Sequence, residues 1–369
     1  MSVTLISGAD GHIGQAVSRW LLANSDDELL LMVRASTSDE KQAKSQRLGD
    51  LAASSRCRIV YADLCDSEPF TNISGVQVTR IIHSAAATSF AVDKQTAREV
   101  NVEGTMKIVD FAATCPNLQR FGLVSSLYST GMNSGPIVES TDMAEPTFAN
   151  HYEWSKWQAE QIVAGNKGLP WHIYRVATVL CEDETGTVVQ QNAIHNTLRL
   201  LYYGMLSVIP GTADTRVYMV TTRFVADAIG RLMADRANQQ VFHISDSGED
   251  ALALGDFIDT VYDCFSSDAR FARQRILKPL YCDLHSFNTL ARAAKLTGGA
   301  MGQSLESVLP FAPQLFNDKD VHTNGTNLVL RHDQEMRSSE LLRAACNFLA
   351  QTRWGLKALP PTTQREARS

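Results

Sequence analysis

Tyr152 and Lys156 stand four residues apart in Tyr152-Glu153-Trp154-Ser155-Lys156, inside a helical pattern that places both on one face. A phenol ordinarily titrates near 10, too high to share a proton readily at neutral pH. An ammonium beside it stabilises the phenolate and lowers that value, which suits the pair to acid–base work on an oxygen. Ser125 and Ser126 close the apolar run Phe121–Ser125. A serine at the carboxyl end of a strand can hydrogen-bond the same substrate oxygen, because ligands of open α/β sheets bind there. A Tyr and a Lys at this spacing are common by chance, so their weight depends on the serines and on the residues upstream.

Those residues begin at the amino end. The apolar Val3–Ser7 runs into Gly8-Ala9-Asp10-Gly11-His12-Ile13-Gly14, and a helical pattern follows. Gly8 allows a tight turn that a side chain would forbid. Gly11 lets backbone approach a pyrophosphate, and Gly14 lets helix and strand pack closely; free N–H groups at the helix start then face the phosphates. The second apolar run, Leu29–Val33, is followed by Arg34 where NAD sites usually carry Asp or Glu. An Arg there can pair a 2′-phosphate, which favours NADPH over NADH. Asp63, in Ala62-Asp63-Leu64, is placed to accept from the adenine amino group or to cap a turn.

The elements that must position these residues alternate. Val3–Ser7, Leu29–Val33, Arg58–Tyr61, Arg80–His83, Phe121–Ser125, Trp171–Val176 and Val241–Ile244 read as strands. Ile13–Ala23, Thr96–Thr114, Asn192–Leu206 and Phe224–Met233 read as helices. Leu29–Val33 has no polar interruption, as for a strand covered on both faces. The pattern predicts an α/β fold, a Rossmann-type doubly wound parallel sheet with a smaller, mostly helical C-terminal substrate domain. The expected division is 1–250 for the dinucleotide domain, with 180–225 contributing to the substrate site, 251–357 for the substrate domain, and a disordered tail at 358–369.

Composition narrows the function classes. The 369 residues are 44% hydrophobic and 20% charged, ordinary for a globular protein, with a formal charge of −6. No basic excess points to nucleic acid, and no run approaches the length of a membrane span. The opening MSVTLISGADG has neither a basic n-region nor a cleavage site, and the seven Cys form no CxxC, so the expectation is a cytoplasmic protein with reduced thiols and no metal site.

Taken in order, the glycine turn, Ala62-Asp63-Leu64, His83-Ser84-Ala85-Ala86, Asn101-Val102-Glu103-Gly104-Thr105, Ser125-Ser126, Tyr152/Lys156 and Arg175 resemble the fingerprints of the extended short-chain dehydrogenases/reductases. The resemblance implies that the backbone of Ala85, Ala86 and Ala87 lines the cofactor, that Ser126, Tyr152 and Lys156 carry the proton chemistry, and that Lys156 also holds the nicotinamide ribose. Of the two serines, Ser126 fits the family position better. The implied cofactor-binding set is Gly8, Asp10, Gly11, His12, Ile13, Gly14, Arg34, Asp63, Leu64, Ala85, Ala86, Ala87, Asn101, Tyr152, Lys156 and Arg175. His83 is expected to make a structural hydrogen bond at a strand end. The family often forms dimers through the helix that carries the Tyr, which leaves a homodimer open.

Ile82–Phe90, Thr185-Gly186-Thr187, Leu198–Gly211 and Thr221–Ile229 are similar to the thioester-reductase and fatty-acyl-reductase branch. That branch implies NADPH-dependent reduction of an acyl thioester, presented by CoA or an acyl carrier protein, to an aldehyde or alcohol. Departures occur at Asp10, where the family has Thr, at Val176-Ala177, which lacks the usual Pro, and at Thr221-Thr222, where Pro-Val is usual. These leave an aldehyde or ketone reductase open, and more distantly a nucleotide-sugar epimerase or dehydratase. A dinucleotide sensor without activity is disfavoured because both Tyr152 and Lys156 are present.

Overall fold

Seven apolar runs form one sheet in the computed structural model, which describes residues 2–354 apart from 236, 299–301, 303, 304, 306, 307 and 331–336. The strands are β1 (Val3–Ser7), β2 (Glu28–Val33), β3 (Cys57–Tyr61), β4 (Arg80–His83), β5 (Arg120–Ser126), β6 (Trp171–Val176) and β7 (Gln240–Ile244). They lie in the order β7-β6-β5-β4-β1-β2-β3, and every pair is parallel. Parallel neighbours need crossover segments, so both faces are covered and the central strands are largely buried and mainly apolar. All seven residues of β5 are buried. The strand order reverses between β1 and β4, and the crevice outside their carboxyl ends is where such sheets take ligands.

The helices that matter for the site are α1 (His12–Asn24), α2 (Ser38–Leu48), α3 (Gly104–Ala113), α4 (His151–Gly165), α5 (Ala193–Tyr202), α6 (Thr222–Met233), α7 (Leu254–Ser266) and α8 (Ser338–Gln351). Helix α2 opens with a capping box between Thr37 and Glu40. The helix expected over Asn192–Leu206 is shorter. Asn192 caps it, and the chain turns out at Tyr203-Gly204, with Gly204 at φ +66°. The helix expected over Thr96–Thr114 is interrupted by a π-helical segment, Ala97–Glu103, in which the Gly104 N–H reaches back to the Glu99 carbonyl. π segments commonly mark functional sites, and this one carries Asn101.

The sheet is sandwiched between two apolar layers. A separate core gathers Leu180, Leu198 and Leu201 with Phe257, Phe265, Leu342 and Leu349, so the 180–220 stretch packs with the end of the chain. The chain beyond 250 is not confined to that core. Lys319–Val321 forms a strand that pairs in parallel with Gly135–Ile137, and Val321 and Leu330 join the core of the sheet domain. Tyr218 fixes this return by donating its hydroxyl to the Lys319 carbonyl at 2.5 Å. The expected tail at 358–369 lies outside the described residues. Among the described residues, no helix is long and apolar enough to cross a membrane.

Candidate active site

The glycine turn forms a cradle that side chains would fill. Gly8 sits at φ +67°, and a Cβ there would lie 2.7 Å from the Ala85 Cα and N. A Cβ on Gly14 would come within 2.3 Å of the Gly8 carbonyl oxygen. Gly14 therefore packs the helix against the turn and does not itself line the cavity. Gly11 is the N-cap of α1 and brings no capping side chain, so the first N–H groups of the helix are left for another acceptor. This uncapped helix start and close backbone approach fit a dinucleotide pyrophosphate.

Gly8, Asp10, Gly11, His12, Ile13, Arg34, Asp63, Leu64 and Ala85–Ala87 line one cavity of about 630 Å³, together with Ser126 and Tyr152. Lys44 and Arg47 of α2 line it as well, next to Arg34. Sequence reading missed these two cations, although they lie one turn apart on the helix that follows β2. Lys44 Nζ pairs with Asp10 Oδ2. Asp63 lines the cavity and caps a turn, accepting the Cys65 N–H at 2.9 Å. His12 Nε2 lies 2.7 Å from Thr222 Oγ1 and 3.1 Å from Glu182 Oε1, so the turn is tied to the start of α6.

Asn150 caps α4 by accepting the Glu153 N–H at 3.0 Å, which sets the face that Tyr152 presents. Tyr152 is buried, and its phenol faces the same cavity as the Ser126 hydroxyl. Burial pushes the phenol up to about 12, with the Ser126 hydroxyl pulling the other way. Lys156, expected to acidify this phenol, is not among the groups that shift it. Lys156 is itself buried, is lowered to about 8 by desolvation, and donates to the Val124 carbonyl at 2.8 Å. It does not line the cavity, whereas Tyr152 and Ser126 do. For Lys156, desolvation outweighs the opposing charge of Glu160; for Tyr152, desolvation and the Glu153 charge act in the same direction.

Ser125 is consumed elsewhere. Its hydroxyl donates to Glu160 Oε1 at 2.5 Å, and Ser129 donates to the same oxygen at 2.6 Å. Arg175, expected at the cofactor, is another correction. It is fully buried and clamps Glu160, with Nη2 2.7 Å from Oε2 and Nε 3.1 Å from both oxygens. The register puts Arg175 opposite Ser125, while Val176 stands opposite Ser126, so the alternation of the strand aims Arg175 at Glu160. Asn101 also misses the cavity. It accepts the Ala87 N–H at 2.7 Å and donates to the Ala87 carbonyl at 3.0 Å and to Ser155 Oγ at 2.8 Å. It holds a cavity-lining backbone segment against α4. His83 is structural as expected. Its ring nitrogens lie 2.7 Å from Ser7 Oγ and 3.0 Å from Thr105 Oγ1, and burial lowers it to about 3.

Beyond Tyr152 the wall turns apolar. Val188, Ile194, Ile209, Leu254, Phe257 and Leu315 line this end. Phe90, Tyr128 and Phe311 line it close to the phenol, and sequence reading singled out none of the three. Among the described residues, no group of three His, Cys, Asp or Glu side chains is placed to hold a metal ion.

Residues 6–229 match an NAD-binding family described as male sterility protein. The chain belongs to that family. Within it, the likeness to extended short-chain dehydrogenases/reductases on the thioester-reductase side stands. The chain is 30% identical over 202 residues to a linear gramicidin synthase of Brevibacillus parabrevis, which is 49% of this chain and 4% of that protein. It is 29% identical over 178 residues to glycine betaine reductase ATRR of Emericella nidulans, which is 46% of this chain and 14% of that protein. The match thus spans only a small part of the length of either relative. Among solved structures, the terminal R domain from the myxalamid PKS-NRPS pathway superposes with a TM-score of 0.76 at 19% identity, covering 98% of this chain and 93% of that one. A thiolation-reductase di-domain from an archaeal non-ribosomal peptide synthetase follows at a TM-score of 0.74 and 19% identity, covering 96% of this chain and 76% of that one. At this identity the structures share the fold.

Proposed function

We propose that this protein reduces the carbonyl of an acyl thioester, with NADPH as the cofactor and Ser126, Tyr152 and Lys156 as the catalytic set. One observation carries the reading: Tyr152 and Ser126 line a single cavity together with a dinucleotide cradle and an apolar chamber. When bound, the nicotinamide supplies a hydride. Tyr152 Oη and Ser126 Oγ hold the carbonyl oxygen as it gains negative charge. The phenol, kept protonated by burial, gives its proton to that oxygen. Lys156, one turn along α4, contributes positive charge near the phenolate left behind. Loss of the thiol from the resulting hemithioacetal leaves an aldehyde, and the hydroxyl proton departs with the thiol. Direct attack at the carbonyl calls for no Cys nucleophile.

Arg34, Lys44 and Arg47 support NADPH, because three cations at the end of β2 and on α2 suit a 2′-phosphate. The named relatives support a thioester presented by a carrier protein or by CoA, received on the side built from 180–225 and the chain beyond 251. The test is NADPH oxidation with acyl-CoA thioesters, with the matching aldehydes in parallel and NADH as control. Thioester turnover with free thiol released is the expected result. Oxidation with aldehydes or ketones alone makes the chain a simple carbonyl reductase.

A further inference from the structure

Three rings close the space beside the phenol. The Phe90 and Tyr128 centroids are 5.4 Å apart, Phe90 and Phe311 are 5.3 Å apart, and Tyr128 and Phe311 are 5.3 Å apart. Phe90 in turn meets Tyr152 edge-on at 5.4 Å. Rings at these separations are in contact, so the triangle leaves no gap for a methyl group. All four side chains line the same cavity.

We propose that Phe311 is a specificity-determining residue, which together with Phe90 bars acyl groups branched at the carbon next to the carbonyl. The inference rests on the thioester reading above. A carbonyl oxygen held by Tyr152 and Ser126 places the adjoining carbon within about two bonds, so its substituents meet the rings packed against the phenol. An unbranched chain passes this wall and continues into the apolar chamber. A branch presses on Phe90, and Phe90 is backed by Phe311.

The wall cannot easily give way. The Tyr128 hydroxyl lies 3.2 Å from Thr178 Oγ1. The segment carrying Phe311 is fastened on both sides to the helix that bears Tyr152. Asn150, the cap of α4, donates to the Pro310 carbonyl at 3.0 Å, and Gln314 donates to Glu153 Oε1 at 2.9 Å. The ring is therefore held at a set distance from the phenol. Phe311 also lies outside the family match over 6–229, so the shape filter comes from a part of the chain that the family pattern does not prescribe.

The experiment measures kcat/KM with NADPH for hexanoyl-CoA and 2-methylhexanoyl-CoA, and for the two matching aldehydes. The unsubstituted chain, Phe311→Ala and Phe90→Ala are compared. One methyl group in a packed apolar site discriminates by about 10–200-fold. The expected preference of the unsubstituted chain for the straight substrate is at least about tenfold, falling toward unity in Phe311→Ala. Phe90→Ala opens the same wall from another element and keeps the test valid if Phe311→Ala does not fold. A preference unchanged in the variants, or absent from the unsubstituted chain, overturns this inference and leaves the proposed function intact. No NADPH oxidation with either aldehyde, or with either acyl group presented as its CoA or its carrier-protein thioester, overturns both.

Discussion

The two ends of the cavity are built by different means. At the glycine-turn end the cradle is made of backbone, Gly8, Gly11 and the Ala85–Ala87 stretch, with charged side chains such as Arg34 and Lys44 at its rim. The apolar end is made of side chains drawn from Val188 to Leu315, positions that have nothing in common but their apolar character. A site that requires backbone to come close demands glycine at set positions and so leaves a motif. A site that requires only apolar surface accepts many side chains and leaves none. The proposed catalytic pair is divided, with Tyr152 facing the cavity and Lys156 buried.

Four results would break or sharpen this contrast. Tyr152→Phe removes the proton donor and is expected to lower kcat by about 10²–10⁴-fold, read as NADPH oxidation. NADPH binding, read by fluorescence, should stay within about twofold, because the cradle is built elsewhere. Loss of binding together with turnover would mean that the two ends are not separable.

Glu160→Gln tests whether Arg175 is structural. It leaves a fully buried guanidinium without its counter-charge, and the expected loss in chemical denaturation is about 3–5 kcal/mol. The double change Glu160→Leu with Arg175→Met should recover part of that loss. If Arg175 instead served the cofactor, the double variant would fold but fail to bind NADPH.

Arg34→Ala combined with Lys44→Ala is expected to reduce the preference for NADPH over NADH by at least about tenfold, in kcat/KM measured with both cofactors. An unchanged preference would remove these cations from the cofactor's recognition.

The smallest effect is on pH. Lys156 and Lys319 are both lowered to about 8 by burial. Between that value and the ordinary lysine range, the unfolded chain binds more protons, so the contribution of these groups to stability rises with pH there and is at its least below about 8. Lys156→Met should flatten this rise in thermal melts taken across pH 7.5–10.5. In kcat/KM, the alkaline fall is expected near 8, set by Lys156 losing its charge, and not near the phenol's value. Lys156→Arg, which stays charged, should move that limb upward.

Much of the fold was legible in the residues alone. β1, β4 and β6 have the bounds read from the sequence, because a strand covered on both faces is a short run of mainly apolar residues set between turn and helix patterns. The glycine turn and the Tyr152–Lys156 spacing were legible for a similar reason: local geometry admits few residue types there. The strand Lys319–Val321 was not, because three residues carry no period and their pairing partner lies far back at Gly135–Ile137.

The sequence by itself therefore determined the parallel sheet, its ligand crevice and the residue types of the reaction. Only the tertiary structure decided between neighbours. It gave Ser126 to the cavity and Ser125 to Glu160, sent Arg175 into a buried ion pair, turned Asn101 onto the Ala87 backbone, and brought Phe311 against Phe90. Those choices depend on which face a strand turns inward and on which distant segment arrives there, and contacts between residues far apart in the chain leave no local spacing to read.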